Sequence, residues 1–336
     1  MTTERILLVK LDHIGDVLWA TPVVSTLRKH RPQAFLAMAV SEYAMDVVKD
    51  NPFLDAVIPV PYAWHNDRGK VRMLSEKLKD FRFDQALVLD PVEWSNYLAF
   101  LSRAPKRIGY FYRDKPVTWL KALFHLTRRI PHPSQSPPFL HEVEVMLGLL
   151  RRIGIAGEYV EDVLLPIPKE DRAWAEAWLR GHDLSRPLAV HLNKEWFDFG
   201  WPRELFFRLL DEILAAWPRE GILLTYGPWE EGLYARLSEE IARRPLIVSV
   251  GGLPLLRWAA LLARCRALVS MDTGAVHMAA ASGVPVVTIF EWEKELYRTY
   301  VRWVPWRAPY RCVFKQFNNL NQRFGDLYAA SSRATE

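Results

Sequence analysis

Short apolar runs alternate with helix-length amphipathic stretches along most of the chain. Arg5 to Val9, Phe35 to Val40, Ala56 to Val60 and Gln85 to Leu89 have the length and content of buried strands. Between them, Val17 to His30 reads as one helix, or as a turn followed by a helix capped by Thr21 with Pro22 at its first position. Tyr43 to Lys49 and Val71 to Phe81 read as helices, the latter with Leu74 and Leu78 on one face, and His141 to Ile153 is strongly periodic. The pattern restarts after a proline-bearing stretch. Leu188–Leu192, Gly221–Thr225, Ile247–Val250, Ala267–Ser270 and Val286–Phe290 are strand-like, with helices expected over Trp174–Leu179, Arg203–Ala216, Leu255–Arg264 and Ala275–Ala281. Strands alternating with helices predict α/β domains with doubly wound parallel sheets. The expected boundaries are 1–158 and 171–310 for the two domains and 159–170 for a linker. A tail over 311–336 follows, polar and aromatic without a period, with Ser331–Glu336 expected to be disordered.

Composition changes this picture little. A chain of 336 residues, half of them hydrophobic, can fill two cores. Cys265 and Cys312 stand alone, so neither a disulfide framework nor a thiolate metal site is expected. The chain runs straight into its first strand and has no apolar run of spanning length, which predicts a cytoplasmic protein. The net charge of +5 suits anionic ligands without being a nucleic-acid signature. The most basic segment runs from Arg103 to Arg129, where eight basic residues face one acid, Asp114, among Tyr110, Phe111, Tyr112, Trp119, Leu120, Leu123 and Phe124. This segment reads equally as a solvated helix face with its aromatics packed inward, or as a surface for an anionic lipid or phosphorylated glycolipid. Ile130–Phe139, with four prolines, reads as a loop.

Chemistry concentrates at strand ends. After Ala267–Ser270, Asp272-Thr273-Gly274 makes a tight turn into a helix of small residues that Gly283-Val284-Pro285 stops. A helix start of this kind offers backbone N–H groups and a favourable dipole to an anion. It is also the shape of any capped βαβ turn. Asp272 is suited to capping the helix or to holding ligand hydroxyls, not to touching phosphate. After the first strand, Asp12 and Asp16 stand in the loop where such sheets place their sites, and their spacing alone favours helix capping. No GxGxxG follows that strand, which argues against a nicotinamide fold.

The residue order adds more. D-T-G-x-x-H-x-A-A-A-x-G-x-P-x-V, through Asp272, Thr273, Gly274, His277, Ala280, Gly283 and Pro285, resembles the signature of the family 9 glycosyltransferases, the heptosyltransferases of lipopolysaccharide core synthesis and their relatives. K-x-D-x-I-G-D-x-x-x-x-x-P, through Lys10, Asp12, Ile14, Gly15, Asp16 and Pro22, resembles the same family's N-terminal motif. The resemblance implies a GT-B fold, two doubly wound Rossmann-like domains facing a central cleft. It also implies an inverting glycosyltransferase that moves a heptose-like sugar from a nucleotide-diphosphate donor such as ADP-heptose to a lipopolysaccharide-core or other glycan acceptor. On that basis Asp16 is the expected general base, with Lys10, Asp12, His13 and Gly15 on the acceptor side. Thr273, Gly274 and Ala275 would hold the donor phosphates through backbone N–H groups, with Asp272 and His277 beside them. Glu230 or Glu231 would take the ribose hydroxyls. The expected partners are a nucleotide sugar and a glycan or glycolipid, with peripheral contact at the inner face of an anionic cell membrane. No metal, no cofactor and no nucleic acid are expected.

Two departures from the family touch the donor side. Relatives carry a basic residue before the Trp-Pro pair, where this chain has Phe199 and Gly200 before Trp201-Pro202, leaving Lys194 as the nearest cation. Relatives usually have a Gly-Pro-Thr-like turn after the last strand, where this chain has Glu291-Trp292-Glu293-Lys294. The rival readings are a non-catalytic scaffold on the same fold, which the missing lysine favours, and a nucleotide-sugar epimerase or hydrolase.

Overall fold

The computed structural model describes residues 3–133, 139–198, 200–291 and 300–315. Phe199, Trp292–Lys294, Ser134–Pro138 and the residues from 316 onward lie outside the described residues.

The chain divides into two compact units between Pro166 and Ile167. The first carries β1 (Arg5–Lys10), α1 (Ile14–Trp19), α2 (Thr21–His30), β2 (Phe35–Ser41), β3 (Ala56–Val60), α3 (Arg68–Asp80), β4 (Gln85–Val88), α4 (Glu93–Leu101), β5 (Lys106–Phe111), α5 (Pro116–His125), β6 (Arg128–Pro131) and α6 (Glu142–Leu150). Its sheet is parallel in the order β3-β2-β1-β4-β5-β6. The second unit carries α7 (Lys169–Gly181), β7 (Leu188–Leu192), α8 (Glu195–Asp198), α9 (Arg203–Ala216), β8 (Ile222–Tyr226), α10 (Glu231–Ala242), β9 (Ile247–Gly251), α11 (Leu255–Leu262), β10 (Ala267–Met271), α12 (Gly274–Ala281), β11 (Val286–Glu291) and β12 (Tyr310–Lys315). Its sheet is also parallel, in the order β12-β11-β10-β7-β8-β9. Counted from the first strand of each unit, both sheets follow 3-2-1-4-5-6, the doubly wound order whose direction reverses between strands one and four.

Burial on both faces explains the apolar runs. Ile6 to Val9 on β1 are fully buried, as are Leu36 to Val40 on β2. Helices with a one-sided stripe cover the sheets: α9 buries Phe206, Phe207, Leu210 and Ile213. The stretch over Val17–His30 follows neither alternative as stated, because it is two helices broken at Ala20. α1 runs to Trp19, and α2 begins at Thr21 with Ala20 as its cap and Pro22 in its first turn. Thr21 is therefore inside the helix, and its hydroxyl donates to the Leu18 carbonyl at 2.8 Å.

Three expectations need correction. The basic segment is not one helical face: it contains strands β5 and β6 with α5 between them. Ile108 to Phe111 are buried in β5, while the four-residue β6 closes the sheet edge with exposed Arg128 and Arg129 and ends at Pro131, features that discourage further strand pairing. The aromatics divide as well, with Tyr110 and Phe111 buried and Trp119 and Phe124 facing solvent. Second, the stretch called tail from 311 opens as β12, paired along β11 from Val286↔Tyr310 to Glu291↔Lys315. Third, part of the expected linker is fastened to the first unit. The Thr26 hydroxyl bonds both the N–H and the carbonyl of Val160, and the Thr21 hydroxyl accepts from the Leu164 N–H at 2.9 Å.

Candidate active site

In the first unit the polar groups collect where β1 and β4 end side by side. Val9 pairs with Val88 in register, and one residue on the Leu89 N–H reaches the Val9 carbonyl. Asp90 follows, wholly buried, and spends both carboxylate oxygens on backbone: Oδ2 accepts from Leu11 N–H at 3.1 Å and Oδ1 from Val92 N–H at 3.0 Å. Lys10 is 2 % exposed, and its Nζ lies 2.8 Å from Asp12 Oδ2. The Asp12 carbonyl accepts from the Ser41 and Tyr43 hydroxyls, and Tyr43 Oη also meets His13 Nδ1 at 3.2 Å. These bonds fix the loop that presents Asp16, which sits partly exposed in the first turn of α1 beside buried Gly15.

One buried ammonium among three carboxylates sets the electrostatics. Burial alone would push the Lys10 pKa down, but Asp12, Asp16 and Asp90 outweigh it and hold the lysine charged above its ordinary range. Burial raises the Asp16 carboxyl, partly offset by Lys10 and reinforced by Asp12 and Glu142. Burial, with Asp12 adding to it, pushes Asp90 up to about 7. A carboxylate raised towards neutrality in the mouth of a sheet is chemically suited to taking a proton.

In the second unit the same position is occupied differently. β7 and β10 are neighbours, Val190 level with Val269. Continuing that register puts Asn193 level with Asp272, just as Leu11 stands level with Asp90 in the first unit. Thr273 is the N-cap of α12 but makes no side-chain cap bond, so the helix start is not closed by a side chain of its own. Asp272 Oδ1 lies 4.0 Å from Nε2 of the buried His277. The helix ends as its sequence predicts, with Gly283 at φ +74° donating back to the Ala280 carbonyl.

Asn193 is the residue that sequence reading missed here. It is 3 % exposed, and neither its amide nitrogen nor its amide oxygen has a hydrogen-bond partner. An unpaired buried amide costs about 1–3 kcal/mol per group, so a ligand that satisfied it would recover that cost. Around it, Lys194 is largely exposed and reaches Asp198 at 3.8 Å. Glu230 is partly buried beyond the end of β8, and burial raises its pKa, with the neighbouring Glu195 adding and Lys194 opposing. Lys194, Glu195 and Glu230 are therefore close enough to feel one another, while Glu231 opens α10 in solvent. Asp90 and Glu142 were also missed in the first unit. The signal for Asp90 was its place after a strand, the same signal that singled out Asp16.

Comparison with known proteins bears on the family and the fold. The family model for Glycosyltransferase family 9 (heptosyltransferase) matches residues 71–323. Lipopolysaccharide heptosyltransferase 3 of Escherichia coli (strain K12) is 25 % identical over 312 residues, covering 87 % of this chain and 82 % of that protein. Among solved structures, a glycosyl transferase family 9 protein from Veillonella parvula superposes with a TM-score of 0.77 at 21 % identity, covering 99 % of this chain and 89 % of that one. The E. coli ADP-heptose lipopolysaccharide heptosyltransferase II does so with 0.73 at 17 % identity, covering 99 % of this chain and all of that one. Two doubly wound units in one chain, matched along their length by these folds, give the two-domain GT-B architecture.

Proposed function

The chain belongs to glycosyltransferase family 9, and from that premise we propose that it moves a heptose-like sugar from a nucleotide-diphosphate donor, ADP-heptose in the first instance, to a lipopolysaccharide-core or related glycan acceptor with inversion at the anomeric carbon. The observation that carries the reading is Asp16: a carboxylate raised by burial, standing after the first strand of a doubly wound unit. In the reaction the acceptor hydroxyl oxygen bonds to the anomeric carbon while the bond from that carbon to the donor phosphate oxygen breaks. Asp16 takes the hydroxyl proton, and the diphosphate leaves with the bonding pair.

The second unit holds the leaving group. Backbone N–H groups of Thr273, Gly274 and Ala275 at the uncapped start of α12 meet the diphosphate as its charge grows. Asn193 adds an amide donor, Lys194 a cation, and His277 with Asp272 orients the turn. Glu230, or Glu231 beside it, accepts from the ribose hydroxyls. On the acceptor side Asp12, His13 and the Gly15 turn meet the sugar, and Lys10 sets the charge balance around Asp16 from its buried position. A glycolipid acceptor places the reaction at an anionic membrane surface, where contact is peripheral.

Incubation with ADP-heptose and a heptose-accepting core oligosaccharide tests the reading. The expected product carries an inverted anomeric configuration by NMR, with ADP released in equal amount. Donor consumption without an acceptor, giving a new free sugar, would overturn transfer in favour of hydrolysis or epimerisation.

A further inference from the structure

Helix α5 is built from apolar residues and yet buries almost none of them. Of its ten residues, PVTWLKALFH, only Ala122 is buried. Val117 is 63 % exposed, Leu120 52 % and Phe124 70 %, at the i, i+3, i+7 spacing of a single stripe, with Trp119 at 43 % beside it. Helix α9 turns such a stripe into its core; α5 turns it outward. The helix is also firmly held. Arg107 Nε donates to the His125 carbonyl at 2.7 Å, and Arg129 Nη1 donates to the Leu123 and Leu126 carbonyls. Phe100 of α4, itself 44 % exposed, continues the apolar patch, its ring 5.7 Å from that of His125.

Positive charge brackets the stripe. Arg113 and Lys115 precede the helix and Arg128 follows it, all exposed. Among the described residues Lys115 and Arg128 form no ion pair; Lys115 lies over the Tyr112 ring, and Arg128 Nη1 donates to the Arg152 carbonyl. Lys121, on the helix, is offset by Glu93 at 2.5 Å. Ten residues rise about 15 Å, and no helix among the described residues is long and apolar enough to cross a membrane. An apolar stripe with cations at both ends fits a layer whose outer boundary carries phosphates and whose interior is hydrocarbon.

We propose that α5 is an interfacial helix that seats this chain on an anionic lipid bilayer, with Val117, Leu120 and Phe124 entering the headgroup boundary and Lys115 and Arg128 meeting lipid phosphates on either side. The inference deepens the reading of a membrane-borne glycolipid acceptor, but it stands on α5 alone and can fail separately.

Flotation with vesicles of phosphatidylglycerol and phosphatidylcholine, against phosphatidylcholine alone, at low and high salt, provides the test. Wild type should float with anionic vesicles, weakly with neutral ones, and less at high salt. Val117→Ser, Leu120→Ser and Phe124→Ser together should lower partitioning at least about tenfold. Lys115→Gln with Arg128→Gln should lower it about 25-fold, about fivefold per cation, with the loss confined to low salt. Each variant must keep its circular dichroism and its nucleotide affinity. Transfer to a soluble acceptor should survive in all of them, which separates this test from that of the catalytic reading. Wild type that stays unbound to anionic vesicles at low salt overturns the proposal. So does a wild-type dimer in sedimentation that the serine variant turns into a monomer with vesicle binding unchanged, since the stripe then serves a second copy of the chain.

Discussion

The two sheets share one winding order and place their polar groups at one topological point, after strands one and four, yet they fill it with opposite chemistry. In the first unit Leu11 and Asp90 stand level, and around them the carboxylates of Asp12, Asp16 and Asp90 hold the buried Lys10 charged while burial raises Asp16. In the second unit the level pair is Asn193 and Asp272, and what that point offers is a neutral amide without a partner and a helix start without a side-chain cap. On the reading proposed above, one end takes a proton and the other holds negative charge. The same fold position would then serve proton transfer or anion binding according to the side chains placed there, and fold alone assigns neither.

The largest expected effect tests the titrating end. Asp16→Asn should lower kcat about 10²–10⁴-fold while leaving nucleotide affinity unchanged in calorimetry. The acid limb of kcat/KM in wild type should lie above the ordinary carboxylate range, because burial raises Asp16. Near-normal turnover in the variant would erase the contrast between the two ends.

The neutral end is sharpened by a substitution with opposite effects on two observables. Asn193→Leu keeps the side-chain size and removes the unpaired amide. Without ligand the variant should be more stable than wild type, by about 1 kcal/mol in denaturant melts. Its affinity for nucleotide diphosphate should fall about tenfold to a hundredfold, the worth of one hydrogen bond to a charged group. Loss of both stability and affinity would make Asn193 a packing residue.

The last expected effect concerns Asp90 and is read as a slope. In the folded chain its pKa stands at about 7, against about 3.9 when unfolded. Between those values the folded state binds the extra proton, so this group's contribution to stability is lost as pH rises through the window. Asp90→Asn should flatten the dependence of melting temperature on pH between pH 5 and 8, a difference on the order of 1–3 kcal/mol, even though losing one acceptor for Leu11 or Val92 lowers stability at every pH. An unchanged slope would remove Asp90 from the cluster.

What the sequence made legible follows from how far apart the deciding residues lie. Helix α9 spans Arg203–Ala216, as its stripe predicts, because helical periodicity is a local property. The Asp-Thr-Gly turn and the Gly15-Asp16 loop could be picked out because each is contiguous. Asp90 acts on a backbone N–H 79 positions away, and no local pattern announces that. Asn193 stands in a polar stretch where only burial distinguishes it from Lys194. β5 and β6 were hidden because their cations dominate the composition of a segment in which only Ile108 to Phe111 are buried strand residues. For α5, the sequence showed apolar residues interleaved with cations but not which way they face, since an inward and an outward stripe have the same spacing.

The threonine hydroxyls of α2 also carry a timing consequence. Thr21 and Thr26 take their partners from Leu164 and Val160, 143 and 134 positions further along. During synthesis these long-range bonds must wait until that stretch has left the ribosome, well after the strand at the centre of the first sheet. A chain truncated at residue 158 would therefore lack the groups that finish the first unit. Limited proteolysis that spares residues 160–164 and cuts beyond Pro166 would yield the smallest N-terminal piece that retains its own last contacts.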